Sequence, residues 1–409
     1  MASISPASDF TANPTTTQTV APATTRDPRL DFYRGIAMYI ILIAHIPRNT
    51  WTNWIPARFG FSDATEIFVF CSGMASAIAF GGCFARRGWL MGTARVAFRV
   101  WQVYWAHICL FFFVAMTMAA LDTYGSFDKS YVASLNLTHF FNDPMPQIVG
   151  LFTLTYVPNY FDILPMYLVV LGLMPLMMAI QSRLGFVAMA LASVAIWGAA
   201  NMGWMALPAE PWSNREWFFN PFGWQLLFFT GFAFMRGWLP VPPVSKTLVW
   251  VCVGFLVLSA PFGSWKVFLW LDAAAPDLAG FIRKTWPVTA ELRDKTEFAL
   301  LRYLHFLALA YLGWVAAGPR GARLIATGTG ALAQVWQVAL RIITKVGQQS
   351  LAVFVFSMAL ARLIGFALDQ IGRSPANFAL ANLTGLALIT VAAYVAGWFK
   401  THPWKARKP

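Results

Sequence analysis

Long apolar blocks alternate with short polar links along most of this chain. Blocks of about 17–25 residues are long enough to cross the hydrocarbon of a bilayer as helices. The pattern predicts ten such spans, at about 30–46, 62–82, 99–120, 160–180, 184–206, 220–239, 246–262, 298–318, 347–369 and 377–399. The expected fold class is therefore all-α, a polytopic integral-membrane helix bundle. Pro47 closes the first span, since proline cannot continue the helical hydrogen-bond ladder. Ser62 or Asp63 can cap the second, and Glu66 falls in its first turn, where the positive helix end favours a carboxylate. Gly73, Ala75, Ser76 and Ala77 are small enough for close helix packing. Residues 147–158 are apolar but too short to cross, so they are expected to be re-entrant or to lie on the membrane surface. The stretch 319–346 mixes Arg320, Arg323, Arg341 and Lys345 with apolar residues, and part of it is expected to lie flat as an amphipathic helix. The link 263–297 is mixed in charge and aromatic, and the pattern gives no placement for it.

Composition agrees with this pattern. Of 409 residues 58% are hydrophobic and only 11% charged, against about 25% charged in soluble domains, so water is not the main solvent. A formal net charge of +13 would suit a nucleic-acid binder, but its distribution points to membrane orientation. An even number of spans puts both termini on one side. With the termini inside, inner segments and tails carry seventeen Lys and Arg against ten on the outer links, as the positive-inside rule requires. The expected topology is N-in/C-in, with anionic lipid rather than nucleic acid facing the charge. Residues 1–28 are expected to form a disordered cytoplasmic tail without the apolar core of a cleavable leader. Residues 29–399 then make a single transmembrane domain, and 400–409 a basic cytoplasmic tail. Cys71, Cys83, Cys109 and Cys252 lie in or beside spans with no CxxC, which favours buried thiols over disulfides or metal ligands.

Ionisable residues inside spans are expensive and commonly line a site, so residues 29–73 hold the first candidates. Arg34 and His45 are eleven positions apart in the first span. At about 100° per residue they share nearly one face, with about 16 Å of rise between them. The topology puts Arg34 near the inner interface and His45 in the outer half, close to Asp63 and Glu66 if the first two helices pack. A histidine oriented by a carboxylate is a competent general base for an alcohol. The alternative for His45 is a helix-packing hydrogen bond. Arg34 can bind a phosphate or carboxylate, or it can reach the interface and pair with Asp31. Arg95 and Arg99 face the same inner boundary, and either a polyanion or topology alone accounts for them. Asn220 and Gln225, at the start of an apolar helix, can hold a sugar, order water, or simply pair within the bundle. His305, one turn after Arg302, and His107 are weaker site candidates. Asn159 and Asp162 need partners near the outer surface. No GxSxG elbow, HExxH, phosphate-binding loop or dinucleotide fingerprint occurs.

The runs DFYRGIAMYIILIAHIPRN, FGFSDATEIFVFCSG, NYFDILPMYLVVL, FNPFGWQLLF and VGQQSLAVFVFS resemble the bacterial OpgC family, in order and over most of the chain. That family is similar to the integral-membrane acyltransferases that include sugar O-acetylases. Their arginine–ten residues–histidine pattern is matched here by Arg34 and His45. The resemblance implies O-acylation, typically succinylation, of osmoregulated periplasmic glucans at the inner membrane, using a cytoplasmic acyl-CoA donor and no permanently bound cofactor. It implies Arg34 toward the donor and His45 at the acceptor hydroxyl; their place at the inner boundary makes Arg95 and Arg99 expected further partners of the donor phosphates. Asp63 or Glu66 would support His45 or bind glucan hydroxyls. Asn220, Gln225, His305 and Arg302 would serve the acceptor or the oxyanion, with Arg48 or Arg302 facing the free carboxylate of a dicarboxylic acyl group. Glucan biosynthesis proteins are possible partners, and no metal is expected. A glycan or acyl-lipid transporter or flippase would use intramembrane charges similarly, and a ligand-sensing scaffold is a further alternative.

Overall fold

The computed structural model describes residues 27–125 and 127–405, so most of the expected N-terminal tail and the last four residues of the C-terminal tail lie outside it. Among the described residues the chain is helical, with no strand beyond an isolated bridge between Pro208 and Glu216. Its helices are α1 (Pro28–His45), α2 (Ala64–Ser76), α3 (Gly82–Tyr124), α4 (Thr138–Asn142), α5 (Pro144–Thr153), α6 (Ile163–Asn201) and α7 (Pro221–Arg236). There follow α8 (Lys246–Gly263), α9 (Trp265–Ala274), α10 (Pro276–Val288), α11 (Leu300–Ala317), α12 (Ala331–Gln348), α13 (Ser350–Ile371) and α14 (Pro375–Lys400).

Six helical segments are long and apolar enough to cross a membrane: Ala64–Tyr124, Ile163–Asn201, Lys246–Gly263, Leu300–Ala317, Ser350–Ile371 and Pro375–Lys400. Two physical features separate this from the ten expected blocks. Some blocks run together. The blocks at 160–180 and 184–206 form α6, broken at Gly185, whose φ of +84° a side chain would resist. Similarly α2 continues through the π-turn Ala77–Gly81 into α3, which breaks at Gly88 with φ +78°. Other blocks are short or charged. The α7 helix has 16 residues, and α1 carries Arg29, Asp31 and Arg34 within its 18.

The short apolar stretch near 147–158 forms the ten-residue α5, too short to span. The link 263–297, left without elements by its sequence pattern, contains α9 and α10. The α12 helix forms within 319–346, exposing Leu332, Val335 and Val338 near its start and burying Val346 and Gly347 near its end.

The helices α3 and α6 run antiparallel. Trp89 Nε1 donates to the Pro175 carbonyl at 2.9 Å, while further along α3 Phe111 meets Phe161 just before α6, with ring centroids 5.1 Å apart. The helices α2 and α7 approach backbone to backbone at two glycines. A Cβ on Gly73 would lie 1.9 Å from the Phe228 carbonyl oxygen, and one on Gly231 would lie 2.3 Å from the Phe70 carbonyl oxygen. Gly73→Ala is therefore expected to lower the melting temperature in detergent, by the equivalent of about 1–3 kcal/mol. Gly254→Ala in α8, where a Cβ meets nothing within 4 Å, is the control and leaves it unchanged or slightly higher, since alanine is the better helix former.

One end of the bundle gathers polar termini. His45 ends α1, Asp63 begins α2, Asp162 precedes α6, Asn220 begins α7 and Lys295 precedes α11.

Candidate active site

His45 occupies the last turn of α1, and its Nδ1 lies 2.7 Å from the Ile41 carbonyl oxygen. A carbonyl can only accept, so Nδ1 carries the proton and Nε2 keeps its lone pair. No described residue hydrogen-bonds Nε2. The ring meets Tyr160 edge-on with centroids 5.5 Å apart, and the Tyr160 hydroxyl donates to the Met358 carbonyl at 2.5 Å.

His45 lines a cavity of about 440 Å³. Part of the wall is apolar, formed by Ile40, Ile41, Ala44, Phe68, Phe354 and Met358. The rest carries Asp63, Asn159, Tyr160, Asp162, Lys295 and the adjacent rings of Phe218 and Phe219. Asp63 accepts from the Thr65 amide at 2.6 Å and from Lys295 Nζ at 2.5 Å, and so joins the capping of α2 to the cavity. Lys295, Arg362 and Asp63 all act electrostatically on the His45 ring. The Arg362 guanidinium lies 3.7 Å from the centre of the Tyr160 ring.

The hydrogen bond of His45 Nδ1 goes to the Ile41 carbonyl and not to a carboxylate, while Asp63 shares the cavity wall with His45. Glu66 is fully buried, and both its oxygens are engaged elsewhere. Oε2 accepts from the Asp63 amide at 2.7 Å, completing a capping box, and Oε1 accepts from Arg302 Nη1 at 2.7 Å. Neither Glu66 nor Arg302 lines the cavity. Asn220 and Gln225 are also outside it. Asn220 caps α7 and donates to the Met205 carbonyl at 2.6 Å and Glu297 Oε2 at 2.7 Å. Gln225 clamps α7 to α6 through the Ser193 hydroxyl and carbonyl, both at 2.7 Å. These amides are used up in packing, which corrects their expected place at the oxyanion. His305 is buried with Nδ1 2.7 Å from the Ser62 hydroxyl, also away from the cavity. Arg48 is exposed and paired with Asp369 at 2.9 Å.

The residues expected at the inner end are also partly separated. Arg34 donates to the Ser350 hydroxyl in a close contact and leaves a buried Nε without a partner among the described residues. Arg99 acts on Arg34, and Arg99, Arg34 and Lys345 all act on Lys400, so four cations gather there. Arg95 instead lines a different depression of about 410 Å³ with Cys83, Arg86 and Arg87. The described cysteines are all free, and no metal-binding cluster occurs among the described residues.

Sequence reasoning missed Lys295, Tyr160 and Arg362 as neighbours of His45. Only Arg362 carried a usable signal, as a charge inside an apolar block.

Next to the cavity, Glu297 supports the start of α7. Burial, with the Asp294 and Glu216 carboxylates adding to it, pushes its carboxyl up to about 7 against the Asn220 hydrogen bond. A carboxyl raised on folding binds more protons folded than unfolded. Its contribution to stability is present below its ordinary value of 4.5 and is lost as pH rises through about 7. The melting temperature in detergent is expected to fall between pH 5 and pH 8, and to fall less in Glu297→Gln. An equal fall in both proteins would reject this assignment.

A family model described as OpgC protein matches residues 26–401. No curated protein and no solved structure matches the chain.

Proposed function

Since the chain belongs to the OpgC family, membership that points to modification of osmoregulated periplasmic glucans, we propose that it transfers a succinyl or other short acyl group from an acyl-CoA to glucan hydroxyls. The observation that carries this reading is the His45 imidazole, held as the Nδ1–H tautomer with Nε2 free in a cavity of about 440 Å³. In this reading ten helices cross the bacterial inner membrane with both termini inside. Arg34 lies toward the donor and His45 toward the acceptor. Arg34, Arg99, Lys345 and Lys400 form the basic end that favours the phosphates of the donor.

The reaction follows from the residues around His45. Nε2 takes the proton of a glucose hydroxyl as that oxygen attacks the thioester carbonyl. The C–S bond then breaks, an ester forms, and the imidazolium returns the proton to the departing thiolate. Negative charge develops on the carbonyl oxygen in the cavity that the Lys295 ammonium lines, and this cation, held by Asp63, stabilises it without reorganisation. The apolar wall holds the acyl group and limits attack by water.

Purified protein in lipid vesicles, given labelled succinyl-CoA and periplasmic glucan, is expected to move label onto glucan. Movement of glucan across the vesicle without label transfer would replace this reading with transport.

A further inference from the structure

The wall of the His45 cavity includes a buried acid that none of the steps above uses. Asp162 is 6% exposed and lines the cavity, and its Oδ1 has no hydrogen-bond partner among the described residues. A buried acceptor left unpaired is costly, and on a residue of a cavity wall it is a candidate partner for a ligand donor. Arg215, the cation that acts on it, is committed elsewhere. It donates to Glu210 at 2.8 Å, to Asn159 Oδ1 at 2.9 Å and to the Val157 carbonyl at 2.9 Å. That bond fixes the Asn159 amide by its oxygen, and its NH₂ remains available to a ligand. Between these two residues, Tyr160 is held in the left-handed region with φ +87°, unusual for a bulky residue. Its ring and hydroxyl are pinned by Arg362 and Met358. Strain of this kind persists where the surroundings enforce it, and here it shapes the 159–162 turn that forms the cavity wall.

A carboxyl acceptor, an amide donor and the rings of Phe218 and Phe219 are the chemistry that recognises a neutral polyhydroxylated ring. Hydroxyls meet the polar pair, and the C–H face of a sugar packs on aromatic rings. We propose that Asp162 binds the acceptor sugar, its carboxyl accepting a hydrogen bond from a hydroxyl of the sugar whose neighbouring hydroxyl faces His45. Asn159 donates to the same sugar. This rests on the acyl-transfer reading for the reaction, though the sugar subsite itself does not require turnover.

The test uses the protein in lipid and the variants Asp162→Ala and Asp162→Asn. Glucan binding is measured by calorimetry without any donor, and KM for glucan and for succinyl-CoA is measured separately. The alanine variant is expected to weaken glucan binding and raise glucan KM about tenfold or more, with donor KM unmoved. The isosteric asparagine variant, which preserves shape should alanine fail to fold, is expected to weaken glucan binding about threefold or more. Unchanged glucan affinity in the folded asparagine variant would overturn the assignment. So would a parallel rise in both KM values with a lowered melting temperature, the mark of a structural role. If the wild type binds glucan through Asp162 yet transfers no label, the subsite stands and the acyl-transfer reading falls.

Discussion

His45→Ala is expected to lower acyl transfer at least about 100-fold while leaving the protein folded and in the membrane. The size follows from the role, because positioned general bases contribute roughly 100- to 10,000-fold. Among the described residues no other histidine lines the cavity. His107 and His305 are buried in helix packing, and neither reaches it. The folding cost should be small, because His45 lies in the last turn of α1 and its one hydrogen bond is to that helix's own carbonyl. The loss should therefore fall on kcat, with donor KM little changed. Wild-type transfer by a His45→Ala preparation would remove the general-base assignment outright.

The second large effect concerns stability rather than chemistry. Glu66→Ala is expected to destabilise the protein by about 3–5 kcal/mol, because Arg302 would be left as a buried charge without its partner. The pair is 2.7 Å apart, with side-chain exposures of 12% for Arg302 and 0% for Glu66. Arg302→Met is expected to cost a similar amount. The double variant Glu66→Gln with Arg302→Met removes both charges and should recover most of the loss. Thermal unfolding in detergent reads all four proteins. A Glu66 variant with an unchanged melting temperature and a large fall in kcat would instead restore it as the partner of His45.

The contrast between these residues shows what the sequence could reveal. Helical phase and residue type were enough to single out His45, because both are local properties. The order of apolar blocks likewise anticipated the helices, but not where two blocks would fuse. At Gly185 and Gly88 a left-handed glycine lets one helical run continue through a break, and hydropathy does not register it. The sequence Asp63-Ala-Thr-Glu66 is both a capping-box pattern and a pair of acids near a histidine. The local use of the pair for capping left only Asp63 facing the cavity. Lys295 was illegible because its partner Asp63 is 232 residues away, and the intervening link gave no periodic signal. Asn220 and Gln225 stood out as polar residues in an apolar helix, yet their hydrogen bonds are spent on the ends and seams of helices.

The most direct test is one measurement on vesicles with the protein in fixed orientation, succinyl-CoA labelled in its acyl carbon on the Arg34 side and glucan on the His45 side. The account predicts labelled ester on the glucan for the wild type and at least about 100-fold less for His45→Ala. Equal label on the glucan in both preparations, or glucan movement without any labelled ester, would contradict it.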